Sequence, residues 1–181
     1  MILPRFIDIE ASGLDSNSYP IEIAWSDSTG LVESHLINPY AIEAWTDWDY
    51  HAQQLHGISR KLCREQGVHP AYVCQRLNES LPPGAIIYAD GLPHDEWWLD
   101  ILFEAASPLG YFQFRLLPSN SLMLPLLAGI KLDLNEQLKH FERLKEEARL
   151  KVGRRHRAGD DVRYLIELYK LCADSRQKNV I

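Results

Sequence analysis

An α/β fold, with a mixed five-stranded sheet and helices on both faces, is predicted by three observations. Residues 5–37 carry strand-like alternation broken by turn residues; after Pro82-Pro83-Gly84 strand and helix alternate; and two long helical stretches close the chain. With 181 residues, 46% hydrophobic and 24% charged, the chain is read as one domain over 1–181, large enough to bury a core.

The elements follow in order. Residues 5–10 form the first strand, with Gly13 as the breaker behind it. Residues 21–26 and 31–37 alternate as a second and third strand, joined by Asp27-Ser28-Thr29-Gly30, which is turn chemistry. Residues 39–50 read as irregular, residues 49–56 as a short helix closed by Gly57, and residues 70–81 as a helix on the spacing of Val73, Leu77 and Leu81. The apolar run 85–89 suits a strand buried on both faces. A helix over 95–106, a fifth strand over 112–116 and a short helix over 122–127 shortened by Pro125 come next. The helix over 134–152 turns Leu134, Leu138, Phe141, Ala148 and Val152 inward and stops at Gly153. The last helix covers 158–172, with a polar, frayed tail from Asp174.

Charge and cysteine content narrow the function classes. A net charge of −6 argues against a protein that coats long nucleic acid through a general basic footprint. The charge is uneven, since residues 139–157 carry eight Lys or Arg against three Glu, and the rest of the chain is correspondingly more acidic. That segment reads equally as a nucleic-acid contact or as a solvated helix face laced with pairs such as Glu147 and Lys151. Cys63, Cys74 and Cys172 are odd in number and widely spaced, which indicates buried thiols rather than disulfides or a zinc site. No apolar run is long enough to cross a bilayer, and Met1 leads within a few residues into a strand, so the expected location is the cytoplasm.

The chemistry concentrates in a few carboxylates. In the first strand Phe6, Asp8 and Glu10 share one face and Ile7 and Ile9 the other. Alone, such an Asp-x-Glu is the wet face of a half-exposed strand. In the last helix, Asp161, Leu165, Leu168 and Cys172 fall at i, i+4, i+7 and i+11, which puts a carboxylate on the stripe that turns toward the core. An acid there is costly unless paired or bound to metal. The alternative, an acid facing the helix dipole, is one that Asp160 can fill from an exposed position. On one continuous helix His156 and Asp161 would lie about 140° apart. They converge only if His156 sits in the loop opened by Gly153, where its imidazole could serve as a general base. Asp95 opens a helix, and Asp90, at the end of the buried strand, competes with it for the same crevice.

With these motifs in hand, the chain resembles the DEDDh 3′-to-5′ exonucleases, the proofreading-exonuclease-like branch of the ribonuclease H-like fold. Asp8, Glu10 and Gly13 match the family's Asp-x-Glu followed by Gly; His156, Ala158 and Asp161 match its His-x-Ala-x-x-Asp. The middle motif departs from pattern: where the family has Asn before Phe-Asp, this chain reads Ala89-Asp90-Gly91-Leu92-Pro93-His94-Asp95. Asp95 is taken as the match because it precedes the aromatic-rich Glu96-Trp97-Trp98. Ala11 and Ser12 also replace the commoner residues beside Gly13. The resemblance implies two Mg²⁺ or Mn²⁺ ions held by Asp8, Glu10, Asp95 and Asp161, with His156 taking a proton from the attacking water. It implies release of nucleoside 5′-monophosphates from single-stranded or frayed DNA or RNA 3′ ends. Gly13 and Leu14 are expected at the terminal nucleotide, with Trp45, Trp48 and His56 either stacking on bases or packing in the core. Dimers occur in the resembling family, so a homodimer is a further expectation. A non-catalytic nucleic-acid-binding or interaction module on the same fold is the competing function, one that would normally have lost a carboxylate.

Overall fold

A computed structural model describes residues 2–128, 132–153 and 156–178, except for the side chains of residues 177 and 178. Strands β1 (Ile7–Ala11), β2 (Pro20–Ser26) and β3 (Val32–Leu36) form an antiparallel sheet in the order β1-β2-β3. Helices α1 (Tyr50–His56), α2 (Arg60–Gln66) and α3 (Pro70–Ser80) follow. Strand β4 (Ile86–Ala89) leads into helix α4 (His94–Ala106), and β5 (Arg115–Pro118) runs parallel to β4. Helices α5 (Ser119–Leu127), α6 (Leu134–Val152) and α7 (Ala158–Lys178) complete the chain.

The expected five-stranded sheet is two ladders, of three and two strands, joined by a single parallel bridge between Phe6 and Tyr88. Past that bridge β1 carries Asp8, and Asp90 follows β4; both line one cleft. β2 is buried along its whole length because both faces are covered. On one face Ile7, Ile9, Ile21, Ile23 and Trp25 pack in a core shared with Val73 and Leu77 of α3 and Leu99 and Phe103 of α4. On the other, Phe6 and Ala24 pack with Met123, Phe141, Leu144, Leu165 and Leu168 from α5, α6 and α7. The alternation of β1 therefore sends Asp8 and Glu10 toward the face that α7 covers.

Several elements differ from expectation for local reasons. α2 is an additional helix, capped by the Ser59 hydroxyl, which accepts the Leu62 N–H at 3.1 Å; its seven residues bury Cys63 and so offer no apolar period. The fifth strand is Arg115–Pro118, because Phe112 and Phe114 instead stack on each other at 4.7 Å beside Phe103. α5 begins three residues early, at Ser119. α6 has the predicted bounds and a capping box between Asp133 and Glu136, but Leu134 and Leu138 are exposed and burial starts at Phe141. α7 runs on to Lys178 rather than fraying from Asp174, with Ser175 hydrogen-bonded to His140 of α6. Residues 179–181 of the expected tail lie outside the described residues.

Candidate active site

Three elements bring carboxylates to one place. β1 presents Asp8 and Glu10, and α7 crosses that face and presents Asp161 from its first turns. One carboxylate oxygen from each of the three lies within 4.8 Å of the others. Asp161 sits on the buried stripe with Leu165, Leu168 and Cys172, as the helical spacing predicts. Asp95, in the first turn of α4, is 2% exposed and accepts the Gly91 N–H at 3.1 Å. The cleft, about 310 Å³, is lined by Asp8, Glu10, Leu14, Asp90, Asp95, His156 and Asp161, with Trp98 and Tyr164 in its walls.

Crowding burial and like charge in one cleft shifts these groups upward. Burial first, then Asp95, Glu10, Asp161 and Asp90, pushes Asp8 well above the usual carboxylate range. Glu10 is raised to about 8 by burial, then by Asp161 and Glu22, with Arg157 pulling the other way. Burial raises Asp95 to about 7 against the Gly91 hydrogen bond, with Asp90 adding to the rise. Such a set cannot all ionise cheaply without a compensating cation, and its oxygen-only donors suit a hard divalent ion.

The backbone around His156 resolves its geometry relative to Asp161. α7 begins at Ala158, so His156 stands before the helix, with φ +61° and its N–H donating to Asp161 Oδ2 at 2.8 Å. The two residues thus converge on the cleft, as a loop placement of His156 requires. Asp90 also lines the cleft but is exposed, and its Oδ1 accepts the Ser119 hydroxyl at 2.7 Å.

No protein-family model matches the chain. No curated protein matches it either. Among solved structures, Escherichia coli exonuclease I in complex with a dT13 oligonucleotide aligns at TM-score 0.67 and 20% identity, over 97% of this chain and 42% of that one. The zinc-bound E. coli exonuclease I–ssDNA complex gives 0.64 at 18% identity, over 97% and 42%. A moderately thermophilic exonuclease I from Methylocaldum szegediense gives 0.65 at 16% identity, over 95% and 41%. This chain shares the fold of the aligned part of exonuclease I. The likeness is one of fold, and the chain spans about two fifths of the length of the exonuclease I chains it matches.

Within this fold, the remaining predicted site residues separate. Leu14 is exposed at the junction of the acidic cleft and a neighbouring pocket of about 340 Å³ lined by Ile9, Glu10, Gly13, Leu14, Leu55, His56 and Trp98. Gly13 packs closely there, since a Cβ would meet the Ser18 hydroxyl at 3.0 Å and Asp49 Cβ at 3.1 Å. His56 is buried in that pocket wall, and its Nδ1 accepts the Ile58 N–H at 3.0 Å. Burial lowers its pKa to about 4, which leaves a neutral ring at pH 7. Trp45 is not brought to either cavity: it is 6% exposed in the core and stacks parallel on Tyr19 at 5.1 Å. Trp48 is also outside both, tied to Gln53 through its indole N–H at 2.9 Å.

Three cations of the basic segment pair along α6. Lys145, Arg149 and Lys151 bridge Glu142, Glu146 and Glu147 at 2.9, 3.4 and 3.3 Å. Arg154 and Arg155 lie outside the described residues. Arg157, at the end of the segment, instead pairs with the buried Glu22 of β2. Sequence reading missed Glu22; the available signal was a carboxylate in a strand whose neighbours on both faces, Ile21, Ile23, Ala24 and Trp25, are apolar.

Among the described residues, no helix is long and apolar enough to cross a membrane.

Proposed function

We propose that this chain is a single exonuclease domain over 1–181, dependent on divalent metal, that shortens single-stranded or frayed DNA or RNA from the 3′ end and releases nucleoside 5′-monophosphates. The observation that carries this reading is the convergence of Asp8, Glu10 and Asp161 within 4.8 Å on an exonuclease I fold, with Asp95 buried at the same cleft. The single-stranded oligonucleotides in the matched E. coli exonuclease I complexes favour a single-stranded substrate.

Two Mg²⁺ or Mn²⁺ ions would be held by Asp8, Glu10, Asp95 and Asp161, and would supply the positive charge that favours ionised water and offsets charge developing on the phosphate. His156, on the cleft wall, takes the proton from the attacking water. Leu14 and Gly13 line the apolar pocket beside the carboxylates, and that pocket receives the terminal nucleotide. His56, neutral and buried, contributes ring surface rather than charge. With all four carboxylates present the fold retains the donors that a non-catalytic binding module would have lost. A cytoplasmic location accompanies this reading.

The test is incubation with 5′-labelled single-stranded DNA and RNA of several lengths. A ladder of shortened, 5′-labelled products that needs Mg²⁺ or Mn²⁺ and stops with chelator is expected. Activity undiminished by chelator, or cleavage of a circular strand, would overturn the reading.

A further inference from the structure

Glu22 lies opposite Glu10 in the β1–β2 register, yet its carboxylate is turned to a different task. It is 3% exposed, and both of its oxygens are engaged. Arg157 Nε and the Ala158 N–H donate to Oε2 at 2.9 and 3.0 Å, and Arg157 Nη2 donates to Oε1 at 2.5 Å. A buried ion pair is tolerated only when charge and lone pairs are both satisfied, as they are here. The donors come from the two residues at which α7 begins. A guanidinium fork and the next residue's N–H reach one carboxylate in a single backbone orientation, so the contact fixes how the chain leaves residue 156.

On the other side of that junction His156 holds φ +61°, a left-handed conformation that non-glycine residues rarely adopt. Such a conformation persists when its surroundings over-determine it, and often at functional sites. Two carboxylates do so here: Asp161 accepts the His156 N–H from α7, and Glu22 grips Arg157 and Ala158 from the sheet.

We propose that Glu22 is a positioning residue for the hydrolysis. Through Arg157 and Ala158 it locks the start of α7 and so aims the His156 imidazole into the cleft. The inference rests on the nuclease reading above for its catalytic consequence, and on the hydrogen bonds alone for the clamp itself.

Two variants test it: Glu22→Gln, which keeps the shape and removes the charge, and Arg157→Lys, which keeps the charge and removes the fork. Because the Arg157 side chain is 28% exposed, the second variant guards against a failure of the first to fold. Hydrogen exchange at the His156 and Ala158 amides is expected to rise at least about tenfold, with the amides of α4 unchanged. On a labelled single-stranded oligonucleotide kcat is expected to fall about 10- to 100-fold, a fraction of what loss of the base would cost. KM should stay within about threefold in both variants, the affinity for Mn²⁺ should stay within about threefold in Arg157→Lys, which keeps both charges, and Glu22→Asp should recover part of kcat. Unchanged exchange at the two amides in both variants would overturn the clamp. Faster exchange with kcat unchanged, in a wild type that is active, would overturn the positioning role alone. An inactive wild type would instead overturn the nuclease reading and with it the catalytic consequence, while the exchange data would still decide the clamp.

Discussion

The carboxylate cluster should make the metal-free protein less stable as pH rises. Glu10 is raised from 4.5 to about 8 in the folded chain, by burial first and then by Asp161 and Glu22. Between those two values the folded state keeps a proton that the unfolded state releases, so stability falls with pH, at about 1.4 kcal/mol per unit for one such group. From pH 5.5 to 7.5 Glu10 alone then costs roughly 3 kcal/mol, a drop of roughly 5 to 10 °C in Tm for a chain of this size. Asp95, raised by burial to about 7, and Asp8, pushed well above its usual range by burial first, act in the same direction. Thermal melts in chelator at the two pH values measure the drop, and millimolar Mg²⁺ or Mn²⁺ at the higher pH should reverse it, because an ion that binds the folded form alone stabilises it. Glu10→Gln removes one titrating group and lowers the pKa of Asp8 beside it, so it should flatten the dependence and raise the Tm at pH 7.5 in chelator. A Tm that is level between the two pH values, or a Glu10→Gln variant with the wild-type slope, would refute the electrostatic account of the site.

Two further outcomes follow from placement. Asp95 is buried at the cleft while Asp90 is exposed and held by Ser119, so Asp95→Asn should abolish turnover and Asp90→Asn should leave most of it; steady-state rates on a labelled oligonucleotide give the ranking, and the reverse order would move the ligand to Asp90. Trp45 is stacked on Tyr19 inside the core, so Trp45→Ala should cost about 3 to 5 kcal/mol in a denaturant titration with KM unchanged, whereas a KM effect at constant stability would return it to the substrate side.

What the sequence discloses is the part of the site that rides on periodicity. Asp8 and Glu10 are readable because a strand alternates faces, and Asp161 because Leu165, Leu168 and Cys172 mark its stripe as buried. For His156 the angular argument gives a condition only: it can meet Asp161 from a loop and not from a continuous helix, and the structure places it before α7. Glu22 was legible only as a lone carboxylate in an otherwise apolar strand: no alternation assigns it a task, and its partner lies 135 residues away. Nor does the stripe on α6 reveal that Leu134 and Leu138 are exposed, because a period reports which face is apolar and not whether a neighbour covers it. The helix Arg60–Gln66 buries one apolar side chain, too few to show a period at all. The separation of the sheet into two ladders depends on how far β1 and β4 pair, a non-local matter that local patterns do not carry.

Calorimetric titration with Mn²⁺, run beside turnover, separates the metal-holding role proposed for the carboxylates from the proton transfer proposed for His156. His156→Ala should lower turnover by roughly 10² to 10⁴-fold, the worth of a general base, with Mn²⁺ binding retained. Asp161→Ala, which takes an oxygen out of the cluster of three, should weaken Mn²⁺ binding itself along with turnover. Loss of metal in His156→Ala together with full binding in Asp161→Ala would contradict the account.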